Sequence, residues 1–472
     1  HIEEHGKKIL TDLLKELGGW PVLEGNSWND ANFTWTDLLI KFRKLGLRID
    51  SFIEMTVDPD PRNSSTYTIQ LDQLKTGLLR DWLVTRSKLK PYLDLMVNVS
   101  VELGANRTRA QREFNESLEF EIKLAKFSLS PEERQDLTKL LNYMTIKELQ
   151  EKFPKIPWLN YINGILHSEI KLRENDTVLV LVPSYFSSLE KLIENTPKRV
   201  LANYAIFRAV QDMISLLPKQ MYRHFQTALQ SLQGQSERPA RWKHCSMTAH
   251  NKLPFLASSL YVQKYFDKDA KRKTVEMIKY LKGSFVEILK NIEWMDEITR
   301  QKALSKVSKM VDNVGYPGEL FNGSLLEQYY KRLEFDESNY LKSFLNLNVH
   351  QTNKSFEKLS GKFNTTDWTE HADVADVGAS YALSTNSINF PAGILQGIFF
   401  NKDRPNYMNF GAIGSVIGHE ITHGFDELGK QYDPNGNVVN WWAAETETKF
   451  KNKTRCMVYQ YGNYTVSQVN KT

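Results

Sequence analysis

The stretch 409–430 constrains this chain more than any other: Asn-Phe-Gly-Ala-Ile-Gly-Ser-Val-Ile-Gly-His-Glu-Ile-Thr-His-Gly-Phe-Asp-Glu-Leu-Gly-Lys. Ile413, Val416, Ile417, Ile421 and Phe425 recur at helical spacing and predict a largely buried helix. Residues four apart on a helix share one face, one turn above the other. His419 and His423 can therefore aim two imidazoles at a single zinc ion. Glu420, on the adjoining flank, can act on a zinc-bound water without being a ligand. Gly411, Gly414 and Gly418 weaken helix propensity, and their placement points to close packing against another backbone. A buried helix with two incidental histidines is the plain alternative, and the glycine-flanked apolar setting favours the metal.

One common class of zinc helix carries a glycine three residues after the second histidine and a further histidine three residues on. Asp426 and Gly429 stand at those positions, which excludes that class. The remaining common solution takes a glutamate from a later helix as third ligand, with water in the open fourth position. Spacing alone offers Glu445 or Glu447. Asp426 is placed to accept an imidazole N–H and so fix its tautomer.

A chain of 472 residues is too long for one simple core and predicts two or more lobes. A net charge of +5 with no long basic run argues against a nucleic-acid partner. Asn-x-Ser/Thr sequons fall at Asn32, Asn63, Asn98, Asn106, Asn115, Asn175, Asn322, Asn353, Asn364, Asn452, Asn463 and Asn470. Chance would give about four, so the surplus predicts an extracellular glycoprotein, either secreted or an ectodomain. No stretch approaches the ~18 apolar residues of a membrane span. With neither an initiator Met nor a signal peptide, the chain is expected to start inside a longer precursor, and any membrane anchor to lie outside the given sequence. Cys245 and Cys456 could pair with each other, the simple reading for an extracellular chain.

Apolar spacing predicts helices over Lys7–Leu17, Thr36–Leu45, Leu71–Val101, Glu116–Ser128, Ser130–Leu141, Thr145–Phe153, Ser184–Asn195, Val200–Leu217, Asp269–Ile292 and Thr299–Val311. The many lysines of the last two read as a solvated face. The run Val178–Val182 predicts a buried strand, and Ala379–Leu383 and Ser387–Phe390 two short ones.

The 416–426 segment resembles the zinc helix of the neprilysin and endothelin-converting-enzyme family of zinc metallopeptidases. Phe390-Pro391-Ala392-Gly393-Ile394-Leu395-Gln396 and Cys456-Met457-Val458-Tyr459-Gln460-Tyr461-Gly462-Asn463 match it too. Weaker echoes reach back to Gly19-Trp20-Pro21-Val22 and Gly315-Tyr316-Pro317. The resemblance implies a mainly α fold with a small β component and two lobes enclosing a central cavity. Residues 1–120 and 200–345 would form the helical lobe, 121–199 a connecting segment, and 346–472 a thermolysin-like catalytic lobe, incomplete at its C-terminus. It implies one zinc ion per chain and supports Asp426 as the acceptor that orients a ligand imidazole. It also implies that Cys245 and Cys456 bond to partners before the start and after the end of this stretch.

In that family the third ligand is a glutamate several dozen residues past the second histidine, beyond Thr472. The chain then reads as a piece of a larger polypeptide, its tail removed or carried on another chain. The family's Asn-Ala-(Phe/Tyr)-Tyr, which binds the substrate backbone, stands here as Gly378-Ala379-Ser380-Tyr381. Ala379 keeps its backbone carbonyl, whereas Gly378 cannot supply the side-chain amide. Ile394, Phe399 and Val416 would line the pocket for the residue after the scissile bond, and Ser415 stands where larger apolar residues are usual. The expectation is a zinc endopeptidase cutting short extracellular peptides on the amino side of apolar residues, with Glu420 as base. The alternative, motivated by Gly378 and the absent third ligand, is a pseudopeptidase glycoprotein that binds peptide or a partner.

Overall fold

The computed structural model describes residues 2–166, 169–234, 240–364 and 367–465. Asn470 lies outside the described residues. The chain divides into two compact units. Unit 1 holds His1–Asp58, Thr66–Lys252 and Gln328–Phe363; unit 2 holds Pro59–Ser65, Leu253–Glu327 and Asn364–Thr472. Most of the described chain is helical.

Unit 1 packs its helices around large buried side chains, among them Trp20, Trp158, Tyr92, Tyr161, Tyr185, Tyr204, Phe52 and Phe114. Its sheet runs β1 (Ile53–Asp60), β2 (Asn63–Gln73), β4 (Thr177–Val180), β3 (Asn142–Thr145). β4 is parallel to β2 and antiparallel to β3. Val178, Leu179 and Val180 are fully buried, as a central strand covered on both faces requires.

Two expected helices of unit 1 differ. Over Leu71–Val101, β2 runs to Gln73 and helices occupy Arg80–Val84 and Leu89–Glu102. Over Ser130–Leu141 only the 3₁₀ turns Glu132–Arg134 and Leu137–Leu140 form. The Asp136 side chain accepts from the Thr138 backbone N–H at 3.2 Å, and this local bond competes with helix continuation.

Unit 2 is smaller. Its sheet orders as β5 (Val311–Gly315), β7 (Ser387–Pro391), β6 (Ser380–Ala382), with β5/β7 parallel and β7/β6 antiparallel. β6 is therefore an edge strand. The core joins Met277 and Ile278 of the Lys268–Asn291 helix, Ala303 and Val307 of the Glu297–Lys309 helix, Ile388 and Phe390 of β7, and Ile413, Ile417 and Ile421 of the Ile413–His423 helix. Residues 253–327, grouped by sequence with the helical lobe, cluster here with the zinc-type helix. The cause is that β5 pairs with β7 and the Lys268–Asn291 helix packs on Ile413–His423.

Of the three glycines, Gly414 on the Ile413–His423 helix makes ordinary contacts, with the Asn409 carbonyl oxygen and Phe410 Cδ1 3.5 Å from where a Cβ would sit; Gly411, which ends the Asn406–Gly411 helix, and Gly418 face open space. The expectation of backbone packing at all three glycines is thus corrected. Among the described residues no single helix is long and apolar enough to cross a membrane.

Candidate metal centre

Ile413, Ile417 and Ile421 anchor one side of the helix in the unit 2 core, which turns His419 and His423 outward. Their Nε2 atoms lie 2.9 Å apart, and the rings meet edge to face with centroids 4.4 Å apart. Two nitrogens about 2.05 Å from a tetrahedral zinc sit roughly 3.3 Å from each other, so this pair needs to open by only about 0.4 Å to share the ion. The imidazole part of the donor set fits zinc.

His423 is held from behind. Its Nδ1–H donates to Asp426 Oδ2 at 2.7 Å, which leaves the Nε2 lone pair for a metal. Asp426 is itself fixed, because its Oδ1 accepts the backbone N–H of Leu428 at 2.9 Å and of Gly429 at 2.7 Å. Residue 429 has to be glycine: a Cβ there would lie 1.8 Å from the His423 carbonyl oxygen. Glu420, 5% exposed, sits between the two histidines in sequence. Burial raises its carboxyl pKa, against the opposing pull of His423 and His419. A carboxylate shifted that way is the stronger base.

Glu445 and Glu447 do not join the pair. Both lie on the Ala444–Gly462 helix and are engaged by lysines: Glu445 by Lys449 at 2.5 Å, Glu447 by Lys451 at 2.8 Å. Among the described residues no group of three His, Cys, Asp or Glu side chains closes on one point. Neither of the two glutamates that spacing alone offers is grouped with the histidines here.

Of the expected substrate-binding residues, Gly378 is exposed and Ala379 half-buried at the start of edge strand β6. Tyr381 packs its ring against Gly424 at the end of the zinc-type helix, and its hydroxyl donates to Asn386 Oδ1 at 2.8 Å. Ser380 faces the other side, in a polar row with Asn389 and Asn313 that lines a cavity of about 440 Å³. Ile394 is buried in the unit 2 core, while Phe399 and Val416 pack half-buried against it. Ser415 is exposed and bonds the Ala412 carbonyl at 2.7 Å.

The sequence reading missed Lys306. It sits on the Glu297–Lys309 helix, read as bearing solvated lysines, yet it is fully buried and donates to the carbonyls of Gly429 at 2.6 Å and Tyr432 at 2.7 Å. The signal was its register: it falls three residues after Ala303 and beside Val307, on the buried stripe.

Cys245, half-buried, and Cys456, exposed, are both free thiols, so the simple mutual pairing expected from sequence is not present. Asn32, Asn63, Asn106, Asn115, Asn175, Asn322, Asn364, Asn452 and Asn463 are exposed. Asn98 and Asn353 are half-buried, and Asn353 accepts from the Arg43 guanidinium at 2.5 Å, a bond that a glycan would disrupt.

Models of peptidase family M13 match residues 1–317 and 378–472. Neprilysin-2 of Drosophila melanogaster is 40% identical, the match taking in 98% of this chain and 62% of that protein. Neprilysin-11 of Caenorhabditis elegans is 34% identical over 98% of this chain and 56% of its own length. Membrane metallo-endopeptidase-like 1 of Mus musculus is 33% identical over 98% and 62%. The chain thus spans about three-fifths of the curated relatives it matches. Among solved structures, the Mycobacterium tuberculosis zinc metalloprotease Zmp1 in complex with inhibitor superposes with a TM-score of 0.86 at 24% identity, covering 98% of this chain and 68% of that one. PepO of Lactobacillus rhamnosis gives a TM-score of 0.81 at 23% identity, covering 97% and 70%.

Proposed function

Because the chain belongs to peptidase family M13, we propose that it is the zinc-binding part of an extracellular metalloendopeptidase that cuts short peptides on the amino side of apolar residues. The observation that carries this reading is the convergence of the two Nε2 atoms at 2.9 Å beside the buried Glu420 carboxyl.

Zinc, when held there, supplies a Lewis acid that polarises a peptide carbonyl and acidifies water. His419 and His423 would hold it through Nε2, with Asp426 accepting the His423 Nδ1–H. Glu420 takes a proton from the attacking water at its carboxylate and returns it to the nitrogen of the leaving amine. The backbone of Ala379, next to the edge strand Ser380–Ala382, is placed to pair with an extended substrate. Ile394, Phe399 and Val416 give the neighbouring core an apolar lining suited to the residue after the scissile bond. The exposed sequons support N-glycosylation and an extracellular setting.

The test is hydrolysis of short apolar peptides by the purified protein, before and after a chelator strips the metal. Loss of cleavage with chelator and its return with zinc supports the proposal. Cleavage that survives zinc removal refutes it. Tight peptide binding without cleavage in the zinc-loaded protein instead supports the pseudopeptidase reading, which Gly378 favours.

A further inference from the structure

We propose that Lys306 is a positioning residue for the metal site, holding the turn after the zinc-type helix so that Asp426 orients His423. This rests on the reading of His419 and His423 as zinc ligands. A continuous run of hydrogen bonds makes the connection. The Lys306 ammonium donates to the Gly429 carbonyl at 2.6 Å, and the Gly429 N–H donates to Asp426 Oδ1 at 2.7 Å. Asp426 Oδ2 then accepts the His423 Nδ1–H at 2.7 Å. The ammonium also caps the other end of the turn, at the Tyr432 carbonyl, at 2.7 Å.

A second arm reaches the edge strand. The Lys306 backbone carbonyl accepts from Asn386 Nδ2 at 3.0 Å, and Asn386 Oδ1 accepts from the Tyr381 hydroxyl at 2.8 Å. Asn386 is buried and holds φ +47° in the loop between β6 and β7, a left-handed conformation that Asn tolerates better than most residues. One side chain and its own carbonyl thus fix both the metal-ligand turn and the strand beside it.

Burying an ammonium is costly, and a space-filling role would be met more cheaply by methionine. What methionine lacks is the donor for two inward-facing carbonyls. The Phe425, Trp441 and Tyr381 rings stand 5.7, 5.8 and 5.9 Å from the ammonium and close it off. Burial pulls the Lys306 pKa down to about 7, against the opposing charges of Asp433 and Asp426.

The experiment is a double-mutant cycle on zinc affinity, read by competition with a chromophoric chelator for wild type, Lys306→Met, Asp426→Ala and the double variant. Lys306→Met is expected to weaken zinc binding about 10-fold or more. The double variant is expected to bind zinc no more weakly than Asp426→Ala alone, since Lys306 acts through Asp426. Should Lys306→Met not fold, Lys306→Gln, shorter and neutral, is read in the same cycle. Unchanged affinity in the lysine variant, or effects that multiply in the double variant, would overturn the inference while leaving the proposed function standing. A wild-type chain that takes up no zinc would overturn both.

Discussion

Arg208 in unit 1 and Lys306 in unit 2 are both fully buried cations, and their surroundings differ in kind. Arg208 faces a carboxylate: its Nη1 donates to Glu121 Oε1 at 3.3 Å and to the Tyr204 hydroxyl at 3.2 Å. Burial pulls its pKa down, and Tyr204 and Glu121 outweigh that and hold it above its ordinary value. The hydrogen bonds of Lys306 among the described residues go to two carbonyls, and burial wins. The first cation is neutralised within a large aromatic core. The second holds the turn that follows His423, the proposed zinc ligand. On the proposed reading, the buried cation of unit 1 serves stability, whereas that of unit 2 serves the site.

The largest test of that contrast is Arg208→Met. It strands the Glu121 carboxylate in the core, and removing one partner of a buried pair costs ~3–5 kcal/mol. Urea denaturation should show that loss, with the zinc affinity of the folded protein unchanged. A shift in zinc affinity would break the contrast.

Next comes pH. Lys306 has a folded pKa of about 7 against an ordinary 10.5, so between those values the unfolded chain binds more protons than the folded one. Stability therefore rises with pH across that window, and below about pH 7 the full cost of the buried charge is present, on the order of a few kcal/mol. Lys306→Met should flatten that rise, measured as the wild-type-minus-variant difference in unfolding free energy at each pH. Arg208, held above its ordinary value, contributes no slope there.

Asp426→Ala should weaken zinc binding by about 10- to 100-fold, measured by chelator competition. The smallest effect is expected at Gly378, the exposed edge position where an Asn amide is absent. A Cβ there would meet the Asp376 carboxylate at 3.3 Å, a neighbour at the surface that can give way. Gly378→Asn should lower KM by roughly 3- to 10-fold, the worth of about one hydrogen bond, with kcat and stability unchanged. Steady-state kinetics on a short peptide would check it.

The elements whose burial is continuous were legible in the sequence. The Val178–Val182 run and the 413–425 periodicity each specify an element from local pattern alone, and both formed close to where the pattern put them. The β1–β2 hairpin was overlooked although Ile53, Met55 and Val57 alternate with polar residues, because a helical reading of the surrounding segments absorbed it. The His-Glu-x-x-His spacing forecast the meeting of the two imidazoles, since i and i+4 geometry is local. Lys306 was not legible as a site residue, because its partners lie 123 and 126 positions away and composition favours a solvated lysine. Spacing alone offers Glu445 and Glu447 as third ligand, and both are engaged by lysines of their own helix.

The most direct measurement is peptide hydrolysis by Glu420→Gln, with zinc content determined on the same sample. The account predicts that the variant keeps its zinc, because Glu420 is not a ligand, and loses about 10²-fold or more in kcat, because the base is gone. Full hydrolysis by the zinc-loaded variant would contradict the account.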